Sequence, residues 1–182
     1  MRVGTKYITG TFSADQYVKI YENILSSATT SITISSLDGD TDEEYLIITR
    51  FVSGYDGVTN FYIYFNNDST TTNYGYQTLQ GVGPGVSASR DTDLCPWLGR
   101  ADSLGNISMG EMFIYTKSGF VRTVLDKFIR DVSGTTVTNI ILLGFSWNNT
   151  VDNITSLVIA SSQTDGIGIG SSIELYKKKY KS

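Results

Sequence analysis

Three carboxylates at alternate positions, Asp38, Asp40 and Asp42, form the densest cluster of metal-type ligands in the chain. Calcium takes several oxygen ligands converging from one turn, and the first half of a calcium loop alternates its acids in this way. The helical calcium loop also needs Gly at its sixth position and a bidentate Glu at its twelfth, where this chain has Glu43 and Thr49. The spacing therefore points first to an Asp-Gly turn whose acids cap backbone N–H groups. A Ca²⁺ site at Asp38, Asp40 and Asp42 is the chemical alternative, and no other cofactor is expected.

Other chemistry is narrowed by what the chain lacks. Histidine is absent, which removes Ser-His-Asp and Cys-His activation and imidazole zinc sites, and one cysteine, Cys95, cannot build a thiolate metal site. Glu111 and Glu174 fall in strand-like segments and are the carboxylates to test as a glycosidase pair, although strand acids are mostly solvated. The glycine runs Gly81–Gly85 and Gly166–Gly170 lack the third-glycine spacing of a dinucleotide loop, and no helix follows to receive a phosphate. They read as turns or close backbone packing. No residue is assigned a catalytic role. Tyr62 and Tyr64 share one strand face opposite Phe61, Ile63 and Phe65, and Tyr74 and Tyr76 repeat the arrangement, giving tyrosine rows suited to a subunit contact or to stacking on sugars.

The elements that would carry these residues are β-strands. Short β-branched and aromatic runs alternate with Gly, Ser, Thr and Asn, and only two prolines occur. Strands are expected at Tyr17–Leu25, Ser31–Ser36, Glu44–Val52, Asn60–Phe65, Tyr74–Leu79, Ser108–Thr116, Arg122–Asp131, Asn139–Trp147, Ser156–Ala160 and Ser172–Lys178. Segments 15–24 and 121–132 also carry helical spacing, and the β texture around them favours strands. Asp56-Gly57 predicts a tight hairpin joining Glu44–Val52 to Asn60–Phe65. Gln80–Gly105 shows no period and reads as a long loop of the kind used in function or subunit contact. The fold class is all-β, a two-sheet antiparallel, jelly-roll-like sandwich, with an N-terminal arm at residues 1–11 and one domain over 12–182.

A chain of 182 residues buries about 70% of its unfolded surface and needs no disulfide to fold. No apolar run is long enough to span a bilayer, and the first residues lack a secretion-signal core. The net charge of −4 argues against a general nucleic-acid binder. Lys177, Lys178, Lys179 and Lys181 sit in the last six residues, leaving residues 1–176 with 10 basic and 18 acidic groups. That tail is a solvated end or a basic toe for an acidic neighbour.

Four stretches, Ser26–Val52, Phe65–Gly81, Glu111–Phe128 and Ser146–Lys178, are together similar to a family of tailed-bacteriophage virion proteins, and the resemblance covers Tyr17 to Lys178. It rests on ordered strand-and-turn phrases and includes no catalytic motif. The resemblance implies a jelly-roll-like sandwich assembled as a homo-oligomer, a trimer, serving as a capsid decoration protein, head fibre component or tail protein of the virion after synthesis in the bacterial cytoplasm. The role expected is a non-enzymatic capsid decoration (cement) protein bound to the major capsid protein or another virion protein, with neither membrane nor nucleic acid as partner. Expected contacts are the arm, Trp97 and Arg100 in the Gln80–Gly105 region, and Lys177, Lys178, Lys179 and Lys181. The alternative is a tail-associated carbohydrate- or receptor-binding module, calcium-assisted, stacking sugars on Tyr62, Tyr64, Tyr74, Tyr76 or Trp97.

Overall fold

The computed structural model describes residues 16–92 and 96–178. The arm, Cys95, Lys179 and Lys181 lie outside the described residues. The strands are β1 (Tyr17–Ile24), β2 (Ser31–Ile34), β3 (Glu44–Val52), β4 (Thr59–Phe65), β5 (Tyr74–Val82), β6 (Gly85–Asp91), β7 (Trp97–Ala101), β8 (Ile107–Tyr115), β9 (Arg122–Ser133), β10 (Thr136–Trp147), β11 (Leu157–Ser161) and β12 (Ser172–Lys178). One helical turn, α1 (Gly39–Asp42), and one 3₁₀ turn, Thr71–Asn73, interrupt them. An eight-stranded sheet runs β1-β12-β3-β8-β9-β10-β5-β6, and a four-stranded sheet runs β2-β11-β4-β7. The pairings are antiparallel, and the two sheets pack as a jelly-roll-like β-sandwich. Both ambiguous segments are strands, β1 and β9.

Alternation decides which residues fill the core. Tyr45, Ile47 and Phe51 of β3, Phe61, Ile63 and Phe65 of β4, and Ile141, Leu143, Phe145 and Trp147 of β10 are buried between the sheets. The rings of Phe51 and Phe61 stack with centroids 4.3 Å apart. Those two rings belong to opposite sheets, which corrects the expected hairpin: β3 pairs with β12 and β8, whereas β4 pairs with β11 and β7. Ser53–Val58 therefore arches from one sheet to the other. Period-2 alternation is the same for a hairpin and an arch, and the arch wins because it lets both apolar faces turn toward one core.

The Gln80–Gly105 region is also corrected, from an irregular loop to the end of β5, all of β6 and β7. Val82 pairs with Gly85 across a two-residue turn in which Gly83 holds φ +54°, a conformation open to glycine without strain. The tract Gly166–Gly170 is close backbone packing. A Cβ at Gly168 would lie 2.9 Å from both the Gly54 nitrogen and the Val52 oxygen.

Candidate functional site

The acidic loop is built as a helix start. Asp38 caps α1, accepting from the Thr41 amide at 3.3 Å and the Thr41 hydroxyl at 2.7 Å, and it takes Nδ2 of Asn153 at 2.9 Å. The Thr41 and Asn153 donors hold its carboxyl below the usual range. Asp40 accepts from the Ser118 amide. Asp42 takes the Tyr45 hydroxyl at 2.8 Å and Lys177 Nζ at 2.8 Å, and burial followed by the Asp42 carboxylate pushes the Tyr45 phenol up. Each acid thus serves a different protein donor, and no group of three metal-type ligands converges among the described residues. The geometry matches the capping alternative. Saturating calcium is expected to leave the melting temperature within about 1 °C, because a site that binds the folded state would raise it by mass action. A calcium-dependent rise of several degrees in a thermal melt would restore the metal site.

The expected contact residues divide. Lys177 pairs with Asp42, and Lys178 Nζ lies 2.9 Å from Glu44 Oε2, so both tie β12 to neighbouring acids of their own chain. Arg100 Nε lies 2.7 Å from Asp102 Oδ1, and Arg130 Nη2 is 2.8 Å from Asp102 Oδ2. Burial acts to raise the Asp102 pKa, but the two guanidiniums outweigh it and hold the carboxyl low. Trp97 is half-buried, its ring centroid 6.3 Å from that of Tyr76. Tyr74 and Tyr76 are core residues, not an exposed row, because β5 turns them inward beside Phe65 and Trp97. Tyr62 and Tyr64 do form an outward pair on β4, 6.3 Å between centroids.

Glu111 and Glu174 stand in one cross-strand row, both opposite Ile48 of the intervening strand. Glu111 is ion-paired with Lys127, and Glu174 is held below the usual carboxylate range, first by the Tyr176 hydroxyl and then by Lys19. A glycosidase pair needs one carboxyl kept protonated to donate to the leaving group. Glu174 is shifted the wrong way for that acid.

Sequence reasoning missed the outer face of the eight-stranded sheet. Three adjacent rows cross it. The first contains Tyr176, Leu46, Phe113 and Leu125; the second Glu174, Ile48, Glu111, Lys127, Leu142 and Leu79; the third Arg50, Met109, Ile129 and Ile140. Leu79, Met109, Leu125, Ile140 and Leu142 are between 44% and 63% exposed. An open hollow of about 390 Å³ lies among Ile48, Met109, Glu111, Lys127, Ile129 and Ile140. The outer face of an antiparallel sandwich ordinarily carries polar residues. Its signal in the sequence is the unbroken run Ile140-Ile141-Leu142-Leu143, which puts apolar side chains on both faces of β10 and marks a strand covered on two sides.

No family model and no curated protein sequence matches the chain. Among solved structures, lectin I-B4 from Griffonia simplicifolia in its metal-free form aligns over 92% of this chain and 96% of that chain, at 9% identity and a TM-score of 0.17. A TM-score of that size shows no shared fold, and nothing about ligands follows from it.

Proposed function

We propose that this protein is a non-enzymatic structural component of a tailed-bacteriophage virion, acting as a capsid decoration protein that stabilises the head by burying surface against itself and a shell protein. The observation that carries the architectural reading is the apolar outer face of the eight-stranded sheet. Exposed apolar side chains gathered on one sheet face, here Leu79, Met109, Leu125, Ile140 and Leu142, point to a surface used for association. The phage assignment rests on the sequence resemblance over Tyr17–Lys178. Stabilisation then follows from mass action: a protein that binds only the assembled shell favours it in proportion to its excess over the dissociation constant.

The competing tail module would stack sugars on an aromatic row. The burial of Tyr74 and Tyr76 leaves it Tyr62, Tyr64 and Trp97, all three half-buried. Two measurements separate the readings. Co-sedimentation of the full chain with empty phage heads, with label on the shell by electron microscopy, is the expected result, together with a blank glycan array. Glycan binding without head association would sink the decoration reading and favour the module.

A further inference from the structure

Resting on that architectural reading, we infer that the outer face of the eight-stranded sheet is the docking surface for a second copy of this chain, packed face to face about a two-fold axis parallel to the strands between β8 and β9.

The position of the charges argues for this occupant. Glu111 and Lys127 are the charged residues at the middle of the apolar rows, on β8 and β9, the fourth and fifth strands of the eight. They are direct cross-strand partners. A strand-parallel two-fold through the centre of the sheet exchanges the fourth strand with the fifth and the third with the sixth. It sets Glu111 over the partner's Lys127 and Lys127 over the partner's Glu111, so each pair meets its complement. The same operation sets Phe113 over the partner's Leu125, Met109 over the partner's Ile129, and Ile48 over the partner's Leu142. Apolar meets apolar in these three, and toward the flanks Arg50 comes over the partner's Ile140 and Glu174 over the partner's Leu79. An isologous contact of this kind is self-complementary, as two-fold interfaces must be.

Area and composition agree. Eight strands spaced about 4.8 Å apart and three rows about 6.8 Å apart give a face on the order of 800 Å². A standard stable interface buries about 800 Å² per partner. The strands at one flank, β1 and β12, carry Lys19, Glu22 and Glu174, and Arg90 stands on β6 at the other, so an apolar centre is bordered by a polar rim. Two sheets meeting this way keep their strands aligned to within about 30°, as in a sandwich interior. A face pairing with its own copy about a two-fold gives a dimer as the primary unit, in place of the trimer that the family resemblance implies.

Sedimentation equilibrium of the full chain over a concentration series tests this. The wild type is expected to be a reversible dimer, and Ile140→Lys, at a position well exposed on the single chain that should leave the monomer's own stability unchanged, is expected to raise the dimer dissociation constant by about 10- to 100-fold. Glu111→Lys and Lys127→Glu should each weaken self-association, and mixing the two variants should restore it as a heterodimer. A monomeric or trimeric wild type overturns the inference, as does a dimer untouched by Ile140→Lys or a mixture that fails to re-associate. Head co-sedimentation is read separately. A monomeric wild type whose head binding is lost in Ile140→Lys would give this face to the shell protein and leave the architectural reading standing. Loss of head binding in the wild type would sink that reading alone.

Discussion

Asp126→Val will stabilise this protein by about 1–3 kcal/mol at pH 7, the cost of keeping buried polar atoms without hydrogen-bond partners. Asp126 sits at an inward position of β9 between Met112 and Leu143, fully buried, and neither carboxyl oxygen has a hydrogen-bond partner among the described residues. Burial raises its pKa well above the ordinary 3.8, outweighing the opposing Lys127 amide, and the Glu111 charge adds a lesser push in the same direction as burial. The unfolded chain ionises above the ordinary carboxyl range while the folded chain keeps its proton. Unfolding therefore releases a proton in that window, and stability contributed by the protonated group is full below the ordinary pKa and falls as pH rises toward the folded value. The loss proceeds at up to about 1.4 kcal/mol per pH unit. Valine removes the slope and suits the strand, so the gap between variant and wild type should widen from pH 4 to pH 7 in chemical-denaturation curves. The melting temperature should rise by about 2–4 °C for each kcal/mol. Asp126→Asn, which keeps polar atoms but cannot ionise, should flatten the pH dependence with a smaller gain. A wild type whose stability is level across that window, matched by the valine variant, would show that the carboxyl is not held protonated in the core.

Asp126 also shows where alternation misleads. The inward positions of β9 are Arg122, Val124, Asp126, Phe128 and Arg130, so polar residues occupy three places where a core pattern expects apolar ones. That mixture is why the segment carries helical spacing through Val121, Val124, Leu125, Phe128 and Val132, and why neighbouring β texture was needed to read it as a strand. By contrast, β3 and β12 are legible to the residue, because their alternation is clean and glycine or acidic turns bound them. The strand β6 was hidden by composition: Val86-Ser87-Ala88-Ser89 offers no buried face, and the strand is almost wholly exposed at the sheet edge. The acid loop was legible as a cap because Asp-Gly reads as a turn whose acids reach backbone N–H groups. Its other partners, Ser118, Asn153 and Lys177, come from distant segments that sequence does not bring together. The apolar outer face was written in β10 but needed the strand order to become a surface. Leu46, Phe113, Leu125, Ile129 and Ile140 become neighbours only when β3, β8, β9 and β10 lie side by side.

Arg122→Met is expected to lose about 3–5 kcal/mol of stability, because it removes one member of a buried polar arrangement and leaves its acceptors unpaired. Arg122 opens β9 with no exposed surface. Its Nη1 donates to the Phe120 carbonyl at 2.7 Å, its Nη2 donates to the Asp152 carbonyl, and the guanidinium lies 6.0 Å from the Trp147 ring centroid. Burial pulls its pKa down while Asp40 and Asp152 oppose the shift, so the group stays charged and desolvated. Trp147 in turn donates Nε1 to Asp68 at 2.8 Å, and Asp68 also takes Asn73 Nδ2 at 2.8 Å. One side chain therefore bridges the loop before β9 to the loop after β10 and packs on the ring that anchors the loop before β5. Methionine fills much of the volume but donates nothing, so the two carbonyls lose their partners and the loops lose their tie. Lysine should rescue little, since one ammonium lacks the planar fork that reaches both carbonyls while covering the indole. Arg122 and Asp126 stand four residues apart on one strand, about 13 Å. Their effects should therefore add within about 0.5 kcal/mol in the double variant. Thermal and denaturant unfolding of the single and double variants would decide it. An Arg122→Met protein as stable as the wild type would mean that the loops hold without this bridge, and strong non-additivity would mean that the buried acid and base interact across the core.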